Sequence, residues 1–213
     1  METMNFKNLV LEQSLVYRLW QAPFADQKFM PIHAHNDLNR VRRVLDVGCG
    51  PGTSSKYFAH TEYLGIDINE RYVETARRRY RLNFKVVDAR EFHAAPEDRF
   101  DFILVNSFLH HLCTKDVVAL LSHIRDLLTE DGCVHILEPE LPPAGSIAYI
   151  LARADRGKFV RRFEEWKSIF TGLFHSMVFQ PYPLKGAGLT LWNMLYFKGR
   201  VSEPDDPAIE MVD

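Results

Sequence analysis

The sequence predicts an α/β fold: a doubly wound, mostly parallel seven-stranded sheet that ends in an antiparallel C-terminal hairpin. Three observations predict it. Short apolar runs alternate with amphipathic stretches from Arg43 to Leu137. The first apolar run leads directly into a glycine loop, Gly48-Cys49-Gly50-Pro51-Gly52. Two strand-like runs, near His175–Tyr182 and Leu189–Phe197, flank a Gly186-Ala187-Gly188 turn. The alternation implies a parallel sheet covered on both faces, and the turn implies a hairpin added to it.

The elements follow in order. Phe6, Leu9, Val10, Gln13, Val16, Tyr17 and Trp20 fall at helical spacing, and Pro23 closes the stretch. Residues 1–24 are therefore expected to form a helix that acts as a lid or cap. Residues 25–42 read as a mixed connector. Val44, Leu45 and Val47 make the first strand, and Ser54 to His60 suit a helix. Tyr63 to Ile66 is the second strand, ending at Asp67, and Asn69 suits a cap for a helix from Glu70 to Tyr80. Phe84 to Val87 is the third strand, ending at Asp88. Phe100 to Val105 is the fourth, ending at Asn106. Thr114 suits the next cap; Val117, Leu120, Leu121, Ile124, Leu127 and Leu128 mark the buried stripe, and Gly132 suits the stop. Cys133 to Leu137 is the fifth strand. Residues 145–172 look helical, and Glu203 to Asp213 reads as a loose acidic tail.

Composition narrows the function. The chain has 213 residues, 46% hydrophobic and 25% charged, which fits one soluble globular domain over 1–213. A net charge of -2 gives no general attraction to nucleic acid. Arg40, Arg42, Arg43 and Arg77 to Arg79 are too few to establish a basic face, so no nucleic-acid partner is expected. Cys49, Cys113 and Cys133 are far apart, so neither a zinc site nor a disulfide framework is expected. His33 and His35 have metal-like spacing without an acidic or cysteine partner, and no metal is expected. No apolar run reaches the ~18 residues of a membrane span. With no signal-peptide pattern at the start, a cytoplasmic location is the expectation. Oligomeric state is left open.

The glycine loop carries the first chemistry. A glycine turn between strand and helix lets a ligand approach the backbone and presents N–H groups at a positive helix end. It departs from the dinucleotide fingerprint, since the third glycine comes one residue early and Thr53 stands in its place. No Gly-Lys-Ser/Thr follows, so it is not a phosphate-binding P-loop. Asp67 lies 21 residues after Asp46, at the end of the second strand, where an acid holds a ribose diol in nucleotide-binding sheets.

These segments resemble class I S-adenosylmethionine (SAM)-dependent methyltransferases of the small-molecule type. "VLDVGCGPGTSSKYF" is similar to the family's first motif, and "YLGIDINERYVETAR", "FKVVDAREF", "FDFILVNSFLHHL" and "LLTEDGCVHILEPE" follow in the family's order. The resemblance covers residues 40–140, the SAM-binding core of a Rossmann-like fold. It implies SAM as cofactor and S-adenosylhomocysteine as product. Asp46, Gly48, Cys49, Gly50 and Gly52 then border the methionine part. Asp67 takes both ribose hydroxyls, with Ile68 beside it. Asp88 takes the adenine amino hydrogen with Ala89 and Arg90 backbone, and Asn106 and Ser107 lie beside the methionine moiety.

The acceptor is expected to be a small molecule, methylated on a hydroxyl oxygen of a metabolite, sugar or natural product. Methyltransferases acting on nucleobase or amide nitrogens commonly carry a proline pair after the fourth strand, and this chain has Asn106-Ser107-Phe108-Leu109 instead. His110 and His111 follow, and an imidazole near neutrality suits proton abstraction from a hydroxyl. His111 is expected closer to the acceptor than His110, with Glu138 next in line as base. Glu138 and Glu140 are otherwise expected as solvated loop carboxylates. The helical insert at 139–172 is the expected substrate side, with Arg156 or Arg161 as partners for an acidic substrate or as part of a solvated helix start. Two other classes remain open: a nucleic-acid or protein methyltransferase, and a SAM-binding fold without methyl transfer.

Overall fold

A computed structural model describes residues 24–154, 159–186 and 188–201. The expected helix over 1–24, apart from Phe24, lies outside them, as do Arg156 and the tail at 203–213. Seven strands form one sheet among the described residues: β1 (Arg43–Val47), β2 (Glu62–Asp67), β3 (Asn83–Val86), β4 (Phe100–Asn106), β5 (Leu128–Pro139), β6 (His175–Gly186) and β7 (Leu189–Arg200). Their order is β3-β2-β1-β4-β5-β7-β6. The first five are parallel, and β7 runs antiparallel to both β5 and β6. The sheet is thus the mostly parallel one with a C-terminal hairpin that the alternation predicts.

Five helices accompany it among the described residues: α1 (Ala25–His35), α2 (Glu70–Arg79), α3 (Thr114–Arg125), α4 (Ile147–Ala154) and α5 (Phe163–Thr171). The Asn69 side chain accepts from the N–H groups of Arg71 and Tyr72 and so starts α2. α3 buries Val117, Leu120, Leu121 and Ile124 against one sheet face, beside Trp166 and Phe170 of α5. Phe29 and Ile32 of α1 join Val73 and Ala76 of α2 on the other face.

Four expectations need correction. The connector at 25–42 is largely helix: α1 buries Lys28, Phe29, Pro31 and Ile32, and Phe29 stacks on Tyr57 at 3.9 Å. Pro31 within it hid the helix, because proline normally ends one. The helix expected from Ser54 is a 3-10 segment, Thr53–Phe58. Leu128 belongs to β5 and not to the preceding helix; it pairs with Phe100, and the register shifts between Phe100 and Phe102. Gly132 therefore does not stop a helix. It lets β5 pass Phe100, whose carbonyl a Cβ there would meet at 2.8 Å. The insert divides into α4 and α5, and α5 starts with Glu165 accepting the Arg162 N–H at 2.7 Å.

Gly52 shows how tightly the loop sits on the sheet. Its φ is +79°, and a Cβ would stand 2.9 Å from Ala76 Cβ and 3.0 Å from the Phe84 ring. Gly52→Ala combines backbone strain with overpacking and is expected to lower unfolding free energy by about 1–3 kcal/mol in urea titration. Unchanged stability would show that the loop relaxes away from α2.

Candidate active site

The carboxyl ends of β1, β2, β3, β4 and β5 bring Asp46, Asp67, Asp88, Asn106, Ser107 and Glu138 to one rim of the sheet. The glycine loop crosses this rim with Gly48, Gly50 and Gly52 all at positive φ. Its amides turn inward. Gly48 and Cys49 donate to the Ile66 carbonyl at 2.9 and 3.0 Å, Gly52 donates to Cys49, and Gly50 donates to Asp67 Oδ2 at 2.9 Å. The N–H groups expected to await an anion at these four residues already have partners.

The glycines differ in what surrounds them. A Cβ on Gly48 would stand 2.7 Å from the Phe108 ring, so this glycine allows packing. A Cβ on Gly50 would meet nothing within 4 Å, so this one borders open space. Asp67 spans the loop and the next turn, because its Oδ1 accepts the Asn69 N–H at 2.8 Å. Ile68 beside it is 68% exposed, an apolar side chain presented at the rim. The Arg90 guanidinium binds both oxygens of Asp88 and lowers its carboxyl. Ala89 packs against the core below.

Asp46 and Cys49 lie beneath the loop. Asp46 is 1% exposed and accepts the Tyr63 hydroxyl at 2.6 Å. Loss of water pushes its carboxyl up to about 7, against the lowering effect of that hydrogen bond. Burial likewise pushes the Cys49 thiol up, away from the reactive thiolate.

The end of β4 is held by one carboxylate. Glu138 is fully buried and accepts the N–H groups of Phe108 at 2.7 Å, Leu109 at 2.6 Å and His110 at 3.3 Å. It also pairs with His110 Nδ1 at 2.7 Å. The solvated alternative for Glu138 is therefore set aside. Glu140 is half-buried, and burial raises its carboxyl. His110 is 2% exposed and lines a narrow cavity with Lys28, Ser107, Pro139, Trp192 and Met194. His111 is exposed, its ring 4.2 Å from that of His110. Ser107 has φ +53°, donates its N–H to Leu137, and accepts Lys28 Nζ on its hydroxyl at 2.8 Å. Asn106 Nδ2 reaches Ser54 at 3.3 Å.

Other candidates serve the framework. Arg161 is 6% exposed and donates to the carbonyls of Phe159 and Leu112, with its charge over the Trp166 ring. It is no part of a solvated helix start. The Tyr182 hydroxyl donates to the Lys28 carbonyl. His35 pairs with Gln180, and His33 meets Tyr57 edge-on. Lys28 is the residue that sequence reasoning missed, and only recognition of α1 as a helix would have given a signal for it.

Comparison with known proteins follows this geometry. Residues 44–132 match the family profile described as a methyltransferase domain. The chain is 32% identical over 125 residues to a trans-aconitate 2-methyltransferase of Methylobacterium radiotolerans, covering 55% of this chain and 46% of that one. It is 30% identical over 146 residues to a ubiquinone biosynthesis O-methyltransferase of Neisseria meningitidis, covering 64% and 60%. It thus spans about half the length of these curated relatives. A SAM-dependent methyltransferase structure from Methanosarcina mazei superposes with a TM-score of 0.64 at 20% identity, covering 81% of this chain and 97% of that one, which speaks to the fold. Residues 44–132 thus match a methyltransferase domain, carried on a fold shared with a SAM-dependent methyltransferase structure. The residues of this chain fit that cofactor: a Cβ at Gly50 would meet nothing within 4 Å, which leaves space for a ligand against the loop, and Asp67 offers a half-buried carboxylate beside it.

The buried Asp46 sets a pH dependence. Its ordinary value is near 3.8, and in the fold it is about 7. Between these values the folded state keeps a proton that the unfolded chain has lost, so this group's contribution to stability falls as pH rises through the window. It is level above about 7. Asp46→Asn keeps an acceptor for Tyr63 and removes the titration. The wild-type minus Asp46→Asn difference in unfolding free energy should fall with pH, by at most about 1.4 kcal/mol per unit. Urea titrations from pH ~4 to ~8 test this, and a flat or rising difference contradicts it.

Proposed function

We propose that this domain transfers the methyl group of SAM to an oxygen of a small molecule presented beside His110. The observation that carries this reading is the buried Glu138–His110 pair at 2.7 Å, on a cavity shared with Ser107. When bound, SAM supplies a methyl group on a sulfonium, a carbon electrophile whose sulfur leaves as a thioether. Asp67 would hold the ribose hydroxyls with Ile68 alongside, and Asp88 with Ala89 would border the adenine. The Gly48–Gly52 loop and Asn106–Ser107 would border the methionine portion, with Asp46 and Cys49 supporting the loop from below.

His110 suits the base better than His111. Glu138 accepting from Nδ1–H fixes the tautomer and leaves Nε2 as the acceptor for a hydroxyl proton. His111 stands outside the cavity lining. Glu138 positions the imidazole and is not itself the base, since its oxygens are engaged by three backbone N–H groups and the ring. The absence of a proline pair after Asn106 and the kinship with an O-methyltransferase support an oxygen acceptor.

Incubation of a cell extract with isotope-labelled SAM and mass spectrometry of the products tests the reading. Label on an oxygen of a small molecule is expected. Label only on nucleic acid or protein, or none at all, would sink it.

Two sets of variants probe the site. Gly50→Val should remove SAM binding in calorimetry while the fold persists, and Asp67→Ala should weaken SAM by about tenfold to a thousandfold. Loss below about threefold would make Asp67 a turn residue only. His110→Ala should cut turnover by at least ~100-fold with SAM affinity nearly intact, and His111→Ala by much less. Near-normal turnover of a folded His110→Ala would leave catalysis to alignment and desolvation alone.

A further inference from the structure

Asp67 and Asp88 follow neighbouring strands, β2 and β3, and the Val87 N–H donates to the Asp67 carbonyl at 3.1 Å. Adjacent strands lie about 5 Å apart. A nucleoside whose ribose is held at Asp67 therefore brings its base to the end of β3, with Asp88 as the acid at the base edge. The Asp88 carboxylate is already in use. Its Oδ1 accepts the backbone N–H of Arg90 at 2.9 Å and the Nε at 3.0 Å. Its Oδ2 accepts the Nε at 3.1 Å and Nη2 as well. A carboxylate has about four acceptor sites, and these contacts, all from one residue, fill them.

The clamp is local. Its partners stand two positions apart in the chain, so closing it costs little entropy. A two-pronged guanidinium–carboxylate contact is also the surface geometry that outlasts ordinary exposed ion pairs. The Asp88 side chain is 18% exposed under an Arg90 side chain that is 59% exposed. The acceptor expected for an adenine amino hydrogen is thus taken by the protein itself, and so is the Arg90 N–H expected beside it. Resting on the cofactor placement proposed above, we infer that Arg90 is a specificity-determining residue: it occupies Asp88 in place of the purine 6-amino group, and the domain binds its nucleoside without reading that group. A purine that lacks the amino group is then an equal guest. Without Arg90, Asp88 becomes a reader, because its carboxylate gains a charge-assisted hydrogen bond that only the amino-bearing purine supplies.

The test is calorimetric titration of the full chain with two ligands. One is S-adenosylhomocysteine; the other is its purine riboside analogue, in which hydrogen replaces the 6-amino group. Wild type should bind the two within about threefold of each other. Arg90→Ala should bind S-adenosylhomocysteine tighter than wild type does, and should prefer it to the analogue by about tenfold or more. The analogue should bind both proteins within about threefold. Arg90→Lys brings a point charge that cannot fill both oxygens, and should fall between. Adding Asp88→Ala to Arg90→Ala should erase the gained preference, which ties it to that carboxylate. Thermal melting checks each fold, and Arg90→Lys decides alone if Arg90→Ala does not fold. A wild-type preference of about tenfold or more overturns the inference and leaves the functional reading intact. So does an amino preference in the deciding variant no greater than that of wild type. Failure of wild type to bind either ligand would sink the cofactor placement, and this inference with it.

Discussion

The site depends on one buried carboxylate. Glu138, near the end of β5, gathers three successive backbone N–H groups from the segment after β4 and the ring of the third residue. Those groups have left regular strand geometry and would otherwise be buried donors without partners, each a cost of about 1–3 kcal/mol. One side chain satisfies them together and fixes the turn. The positive φ of Ser107, the burial of Leu109 and the orientation of His110 all follow from that turn. A shorter acceptor at 138 would not span from one strand end to the other.

The rest of the rim is braced in the same way, by side chains that hold backbone. Asp67 joins the glycine loop to the turn before α2, Arg161 holds the carbonyl at the end of the His110 turn, and Gln27 and Tyr182 fasten α1 to the hairpin. The hairpin therefore does more than extend the sheet. It is the platform on which α1 rests, and α1 carries Lys28 to the cavity.

Much of the architecture was legible because it rests on local rules. Apolar runs of strand length, each ending in Asp67, Asp88 or Asn106, gave the parallel core and its functional edge. The antiparallel pair followed from two β-rich runs about a glycine turn. What escaped depends on tertiary contact. Nothing local says that a helix survives Pro31, that Leu128 leaves a helical stripe to pair with Phe100, or that Gly132 answers to a neighbouring carbonyl. Glu138 read as a surface residue because its partners are backbone groups 28 to 30 positions away. The proposed choice of His110 over His111 turns on that same carboxylate. The glycine-loop edge was read from a linear pattern, whereas the cavity beside His110 is assembled from α1, the β4 turn and the hairpin.

The inward-turned amides of the glycine loop bear on how fast a ligand is captured. A loop whose N–H groups waited for a guest would fluctuate when empty, and each encounter would have to organise it. Here the Ile66 carbonyl and the Asp67 carboxylate keep the loop in one shape throughout. Little backbone entropy is left to lose on association, and preorganisation of this kind raises affinity without adding contacts. The rim at the glycine loop is thus a rigid dock, shaped before any ligand arrives.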